Sequence, residues 1–110
     1  MSKTVSCPVT AFPGFVIFSD PITITQASQY EAGKYYGEQF IKHGKETAIY
    51  AAAIIPGALA CVEKCELKGF QEGITLNSIP FKPHKARAEF VAWLVAEVEA
   101  LYADTETPNA

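Results

Sequence analysis

The sequence predicts one α+β domain, mainly α: a short N-terminal β-hairpin packed on a bundle of three to four helices. Three observations predict it. Two β-leaning runs, residues 3–10 and 15–18, flank "AFPG"; apolar residues recur at helical spacing over 26–41 and from Pro83 to Tyr102; and the chain is nearly free of polar groups from Ala48 to Val62. A length of 110 residues with 49% hydrophobic content suffices for a single core, assigned to residues 1–102. The stretch 103–110, "ADTETPNA", has too little apolar content to fold and is read as a disordered tail.

In the hairpin, Pro13-Gly14 suits the centre of a type II turn, because proline presets one φ and glycine accepts the positive one. Pro8 removes a ladder donor from the first run and confines that run to an edge. Asp20-Pro21 ends the second strand. Thr25 then offers a hydroxyl to cap a helix from Gln26 to Ile41, with Ala27, Tyr30, Gly33, Gly37, Phe40 and Ile41 on one side. Two glycines at a spacing of four cost helix stability, so Gly33 and Gly37 predict the close approach of another backbone.

His43-Gly44 reads as the stop of that helix. A second helix is predicted from about Glu46 toward Leu67, kinked at Pro56, and its all-round apolar first half belongs at the centre of a bundle or an assembly. Glycine and proline punctuate 68–83 as a connection, with "ITL" at 74–76 as a candidate third strand. The last helix has Pro83 in its first turn and a stripe of Phe90, Val91, Leu94, Val95, Val98, Leu101 and Tyr102.

A net charge of −3 has the wrong sign for a general polyanion binder, so nucleic acid is not expected as a partner. No membrane span is expected either, since the apolar stretch falls short of ~20 residues. Three cysteines and an opening without the order of a secretory signal predict a reducing, cytosolic setting. Cys61 and Cys65 share a helix face in the predicted second helix; they could hold a metal only with two further ligands, and small buried side chains are the preferred reading.

Lys82, His84, Lys85 and Arg87 gather at a helix start and read either as a solvated basic turn or as a dock for an acidic group. Trp93 lies off the main stripe, with Ala86, Ala96 and Ala100, as core or as an interface anchor. Tyr35 falls opposite the buried side of its helix. Glu89, Glu97 and Glu99 read as a solvated face, and no phosphate loop, catalytic triad or HExxH is present, so no enzyme and no cofactor are expected.

Three blocks, "GFVIFSDPITITQASQYEAG", "IIPGALACVEKCELKGF" and "IPFKPHKARAEFVAWLVAEVEALY", resemble in order and spacing the tail assembly chaperones of tailed bacteriophages and prophages. The resemblance spans Gly14 to Tyr102 and rests on packing and turn motifs. It implies a non-enzymatic, helix-rich protein of the bacterial host cytoplasm that binds the tape-measure protein or another tail protein. Such proteins are often described as all-helical, whereas residues 3–18 argue for strands. Trp93, Tyr35, Gly33, Gly37, Lys85 and Arg87 are the candidate partner contacts, and a homo-oligomer is compatible. A rival reading is a structural virion component, a head–tail connector or tail-tube accessory, whose N-terminal strands join a neighbour's sheet. A metal-binding module on Cys61 and Cys65 is the third.

Overall fold

The computed structural model describes residues 2–42, 54–68, 79 and 82–104. Strands β1 (Ser2–Ser6) and β2 (Gly14–Ser19) are followed by helix α1 (Ile24–Lys42), a helical segment α2 over 54–59, strand β3 (Val62–Leu67) and helix α3 (His84–Asp104). This is an α+β arrangement, mainly α, as the sequence predicts. The sheet is antiparallel in the order β1-β2-β3.

The predicted hairpin forms, with a different connection. Instead of a tight turn at Pro13-Gly14, residues 7–13 make a seven-residue loop, closed by the Cys7 N–H donating to the Gly14 carbonyl at 2.9 Å. This loop turns inward: Val9 and Phe12 are buried, and Phe12 stands edge-on to Phe90 with ring centroids 6.0 Å apart. Pro8 lies in the loop, so it removes nothing from the ladder. Gly14 opens β2 itself at a φ of 143°, where a Cβ would lie 1.9 Å from the Glu66 carbonyl oxygen. Glycine alone allows β3 to pair there.

Strand β3 is the main departure from expectation. The predicted long second helix gives way after residue 59, and "VEKCEL" pairs with β2, Val16 opposite Cys65 and Gly14 opposite Leu67. A register shift between Ile17 and Phe18 places Val62 opposite Phe18 and leaves Glu63 as an extra residue. Cys61 and Cys65 therefore share no helix face. The strand suggested at 74–76 and the stop at His43-Gly44 lie outside the described residues, as does the apolar run before Ile54. Helix α3 continues through Asp104, two residues into the stretch read as tail.

Val16 and Phe18 project from one face of β2 and are fully buried, Phe18 meeting Trp93 of α3 at 6.2 Å. The last helix contributes Phe90, Leu94, Val98 and Leu101 to the same core, four of the stripe residues its spacing predicts. Burial of a side chain of this size stabilises by about 1.5–3 kcal/mol each.

Candidate functional site

Helix α1 is fixed at three points, and together they decide which of its faces meets solvent. Its start is a capping box: the Gln26 N–H donates to Thr23 Oγ1 at 3.1 Å, and the Thr23 N–H donates to Gln26 Oε1 at 2.8 Å. The cap is thus Thr23, two residues before the Thr25 that the sequence suggested. Gln26 Nε2 also donates to Ser19 Oγ and to the Ala60 carbonyl, tying the helix start to the ends of β2 and α2.

The second point is Tyr30. Its ring is buried, it lies 5.5 Å from the ring of Tyr102, and its hydroxyl donates to the Glu99 carboxylate. Lys34, one turn on, donates to the same carboxylate at 2.9 Å. These donors hold the Glu99 carboxyl below the usual carboxylate range, the Tyr30 hydrogen bond most of all. Glu97 meets Lys3 of β1 at 3.8 Å. Of the three glutamates read as a solvated face, only Glu89 is exposed, while Glu97 and Glu99 are half-buried.

The third point is Gly57. A Cβ there would lie 2.5 Å from the Gln29 carbonyl oxygen and 2.9 Å from Tyr30 Cα, so α2 meets α1 backbone to backbone. The sequence assigned such an approach to Gly33 and Gly37. Gly37 is buried and Gly33 half-buried, and among the described residues the close backbone contact shown on α1 is made by Gly57 of the other helix.

With Tyr30 and Ala27 turned inward, the outward face of α1 is set. Thr25, Ser28, Gln29, Ala32, Tyr35 and Tyr36 are all exposed and fall within roughly 120° of one another at 100° per residue. None is charged. Tyr35 and Tyr36 are 59% and 61% exposed with ring centroids 5.8 Å apart, and Ile24, at the border of the face, is 48% exposed. All three large apolar side chains exposed among the described residues therefore sit on this helix. Beside the face runs an open groove of about 350 Å³. Its α1 wall is Gln29, Ala32, Gly33 and Tyr36, and its α2 side is Pro56, Gly57 and Ala60.

The other candidates do not converge on this groove. Trp93 is half-buried against Phe18 and Phe90, which makes it part of the core's rim. Ala86 is buried, while Ala96 and Ala100 are exposed. Lys85 lines a smaller recess of about 260 Å³ with Val9, Pro83 and Glu89, and Arg87, two residues along α3, is not among its lining residues. Glu89 opposes an acidic ligand there. Of the candidates, Gly33 lines the groove and Tyr35 stands on the adjoining outward face, while Tyr36, Gln29 and Ala32 join the two. Tyr36 was visible in the sequence as the neighbour of Tyr35 one helical turn after Gly33, but its place beside α2 depends on Gly57.

Among the described residues no group of three His, Cys, Asp or Glu side chains is placed to hold a metal ion, and no helix is long and apolar enough to cross a membrane. Burial pushes the Cys61 thiol up to about 11. Comparison of the chain with family models, with curated proteins and with solved structures finds no match.

Proposed function

We propose that this protein is a non-enzymatic tail assembly chaperone of a tailed phage or prophage, which covers an apolar helix of the tape-measure protein in the bacterial host cytoplasm. One observation supports the binding role above others: the outward face of α1 is uncharged and aromatic and borders the groove beside α2. Interfaces are depleted in charge and enriched in tyrosine, whereas solvated helix faces carry charge freely. A groove between two helices with a floor of glycine and alanine admits a third helix closely. The assignment to phage tails draws on the resemblance of the three sequence blocks.

The test is co-expression with segments of a phage tape-measure protein. The wild-type chain is expected to co-purify with a helical segment, and the double variant Tyr35→Ser, Tyr36→Ser to lose it at unchanged fold. Retention by the double variant would move the binding site elsewhere. The protein is also expected to be missing from purified particles.

A second reading, a structural virion component, is favoured by β1, whose outer edge has no strand partner among the described residues. Presence in the particle in fixed copy number would select it.

A further inference from the structure

The ladder between β1 and β2 fixes which backbone groups of β1 face outward. The Cys7 N–H donates to the Gly14 carbonyl, so the opposed pairs Val5–Val16 and Lys3–Phe18, at successive steps of two residues, exchange their bonds within the sheet. The backbone N–H and C=O groups of Ser2, Thr4 and Ser6 therefore point away from β2, and all three residues are exposed. Pro8 lies beyond the strand and the register shift lies between β2 and β3, so nothing interrupts this edge. Helix α3 borders the same edge. Glu99 and Tyr102 reach α1 from one flank of the helix, whereas Glu97, on the other flank, reaches Lys3 of β1. Trp93 and Ala100 share the flank of Glu97 at 100° per residue; Trp93 is half-buried against Phe18, and Ala100 is exposed.

We infer that two copies of the chain pair edge to edge through β1, antiparallel about a two-fold axis at Thr4, so that one sheet runs through both. In this register Thr4 meets Thr4 of the second copy and Ser2 meets Ser6, each pair exchanging both backbone bonds, and the threonine pair adds a favourable cross-strand contact. Lys3 stands opposite Val5 of the second copy, its amine held by Glu97. Moving the axis to Lys3 would set the two lysines against each other, and moving it to Val5 would leave Ser2 opposite Pro8, which has no N–H to give. The same axis brings the helices together. Because α3 lies beneath β1 and β2 and strands are ~4.8 Å apart, the two copies of α3 run side by side at roughly 10 Å, near helix-packing distance. Helix α3 runs opposite to β1, from the loop at Phe12 to Lys3, so its middle lies near Thr4. The basic first turn of one copy, with Lys85 and Arg87, then lies level with the acidic end of the other, at Asp104. A two-fold interface must be complementary to itself, and both the edge and the charge order of α3 meet that requirement. The inference rests on neither reading of the function.

The experiment is sedimentation equilibrium of the full chain, with amide exchange followed residue by residue. The mass is expected to rise with concentration toward twice the monomer's 11.9 kDa. In the dimer the Thr4 and Ser6 amides are expected to be protected; on dilution to monomer they exchange freely, while Val5, bonded to Val16, stays protected. Thr4→Pro removes an outward N–H that takes no part in the β1–β2 ladder, so it is expected to keep the circular dichroism and lose the dimer. Ala100→Glu, at an exposed helical position, is expected to weaken it. A monomer at every concentration, a dimer whose Thr4 and Ser6 amides exchange freely, or a folded Thr4→Pro variant that still dimerises would each overturn the pairing. An Ala100→Glu dimer as tight as wild type would overturn the contact between the two copies of α3.

Discussion

Tyr30 of α1 and Glu99 of α3, 69 residues apart in sequence, join the two long helices by a hydrogen bond from a buried phenol to a half-buried carboxylate. Because Lys34 donates to the same group, the contact sets the rotation of α1 and so the face it presents outward. Tyr30→Phe is expected to lower stability by about 1–2 kcal/mol, the value of a hydrogen bond to a charged acceptor that keeps some exposure. Urea denaturation should show a lower midpoint at unchanged slope.

The same contact gives stability a pH dependence. Glu99 is held below its ordinary range in the folded chain, so the unfolded chain binds the proton more readily. The stabilisation is complete above the unfolded glutamate range and is lost as pH falls through the folded value. Glu99→Gln should therefore flatten the acid limb of a stability–pH profile while leaving the neutral-to-alkaline limb parallel to wild type.

Tyr102 behaves in the opposite sense. Its hydroxyl donates to the Glu31 carboxylate, and this bond, with desolvation and the nearby negative charge, pushes its pKa up to about 12. A raised phenol favours folding at all pH below its unfolded value near 10, and that contribution disappears as pH approaches 12. Absorbance titration at alkaline pH should show a late-titrating phenol that moves back toward the ordinary range in Glu31→Gln.

Replacing Thr23 by alanine removes half of the capping box that starts α1. The expected loss is about 1 kcal/mol. Thr25→Ala, at the position the sequence favoured as the cap, should cost less than half of that, which thermal denaturation of the two variants would show.

How far the fold could be read in advance depended on how regular each pattern was. The last helix was legible because Phe90, Leu94, Val98 and Leu101 repeat at helical spacing without interruption, and the structure buries all four. Strand β3 was not. Its core-side residues are Val62, Cys65 and Leu67, and the extra Glu63 widens the first interval to three, so that with Ala58 and Cys61 upstream the run mimics a helix. The candidate site was half legible: Tyr35 and Gly33 carried a signal in α1, whereas the groove exists because a glycine in another segment permits contact with Gln29 and Tyr30.

The cysteines should be poor nucleophiles. Cys61 is buried and its thiol titrates at about 11, two units above its ordinary value, which reduces the reactive thiolate roughly 100-fold near neutral pH. Burial also raises Cys7 and Cys65, the latter helped by the charge of Glu66. Labelling with a chromogenic disulfide should find Cys61 the slowest in the native protein and all three comparable in denaturant. A chelator should leave the melting temperature unchanged.

Two glycines carry close backbone contacts, Gly14 between β2 and β3 and Gly57 between α2 and α1, and they should fail in different ways. Gly14→Ala forces a Cβ into the Glu66 carbonyl at a φ that side chains avoid, so β3 must separate from β2. The loss should be about 3 kcal/mol or more, with amide protection falling along both strands. Gly57→Ala displaces α2 from α1 by a few tenths of an ångström or more, costing about 1–3 kcal/mol. The sheet should stay protected in that variant while the groove changes shape. If the groove receives a partner helix, Gly57→Ala will weaken binding by more than its effect on folding predicts; an affinity equal to wild type would place the binding surface away from α2.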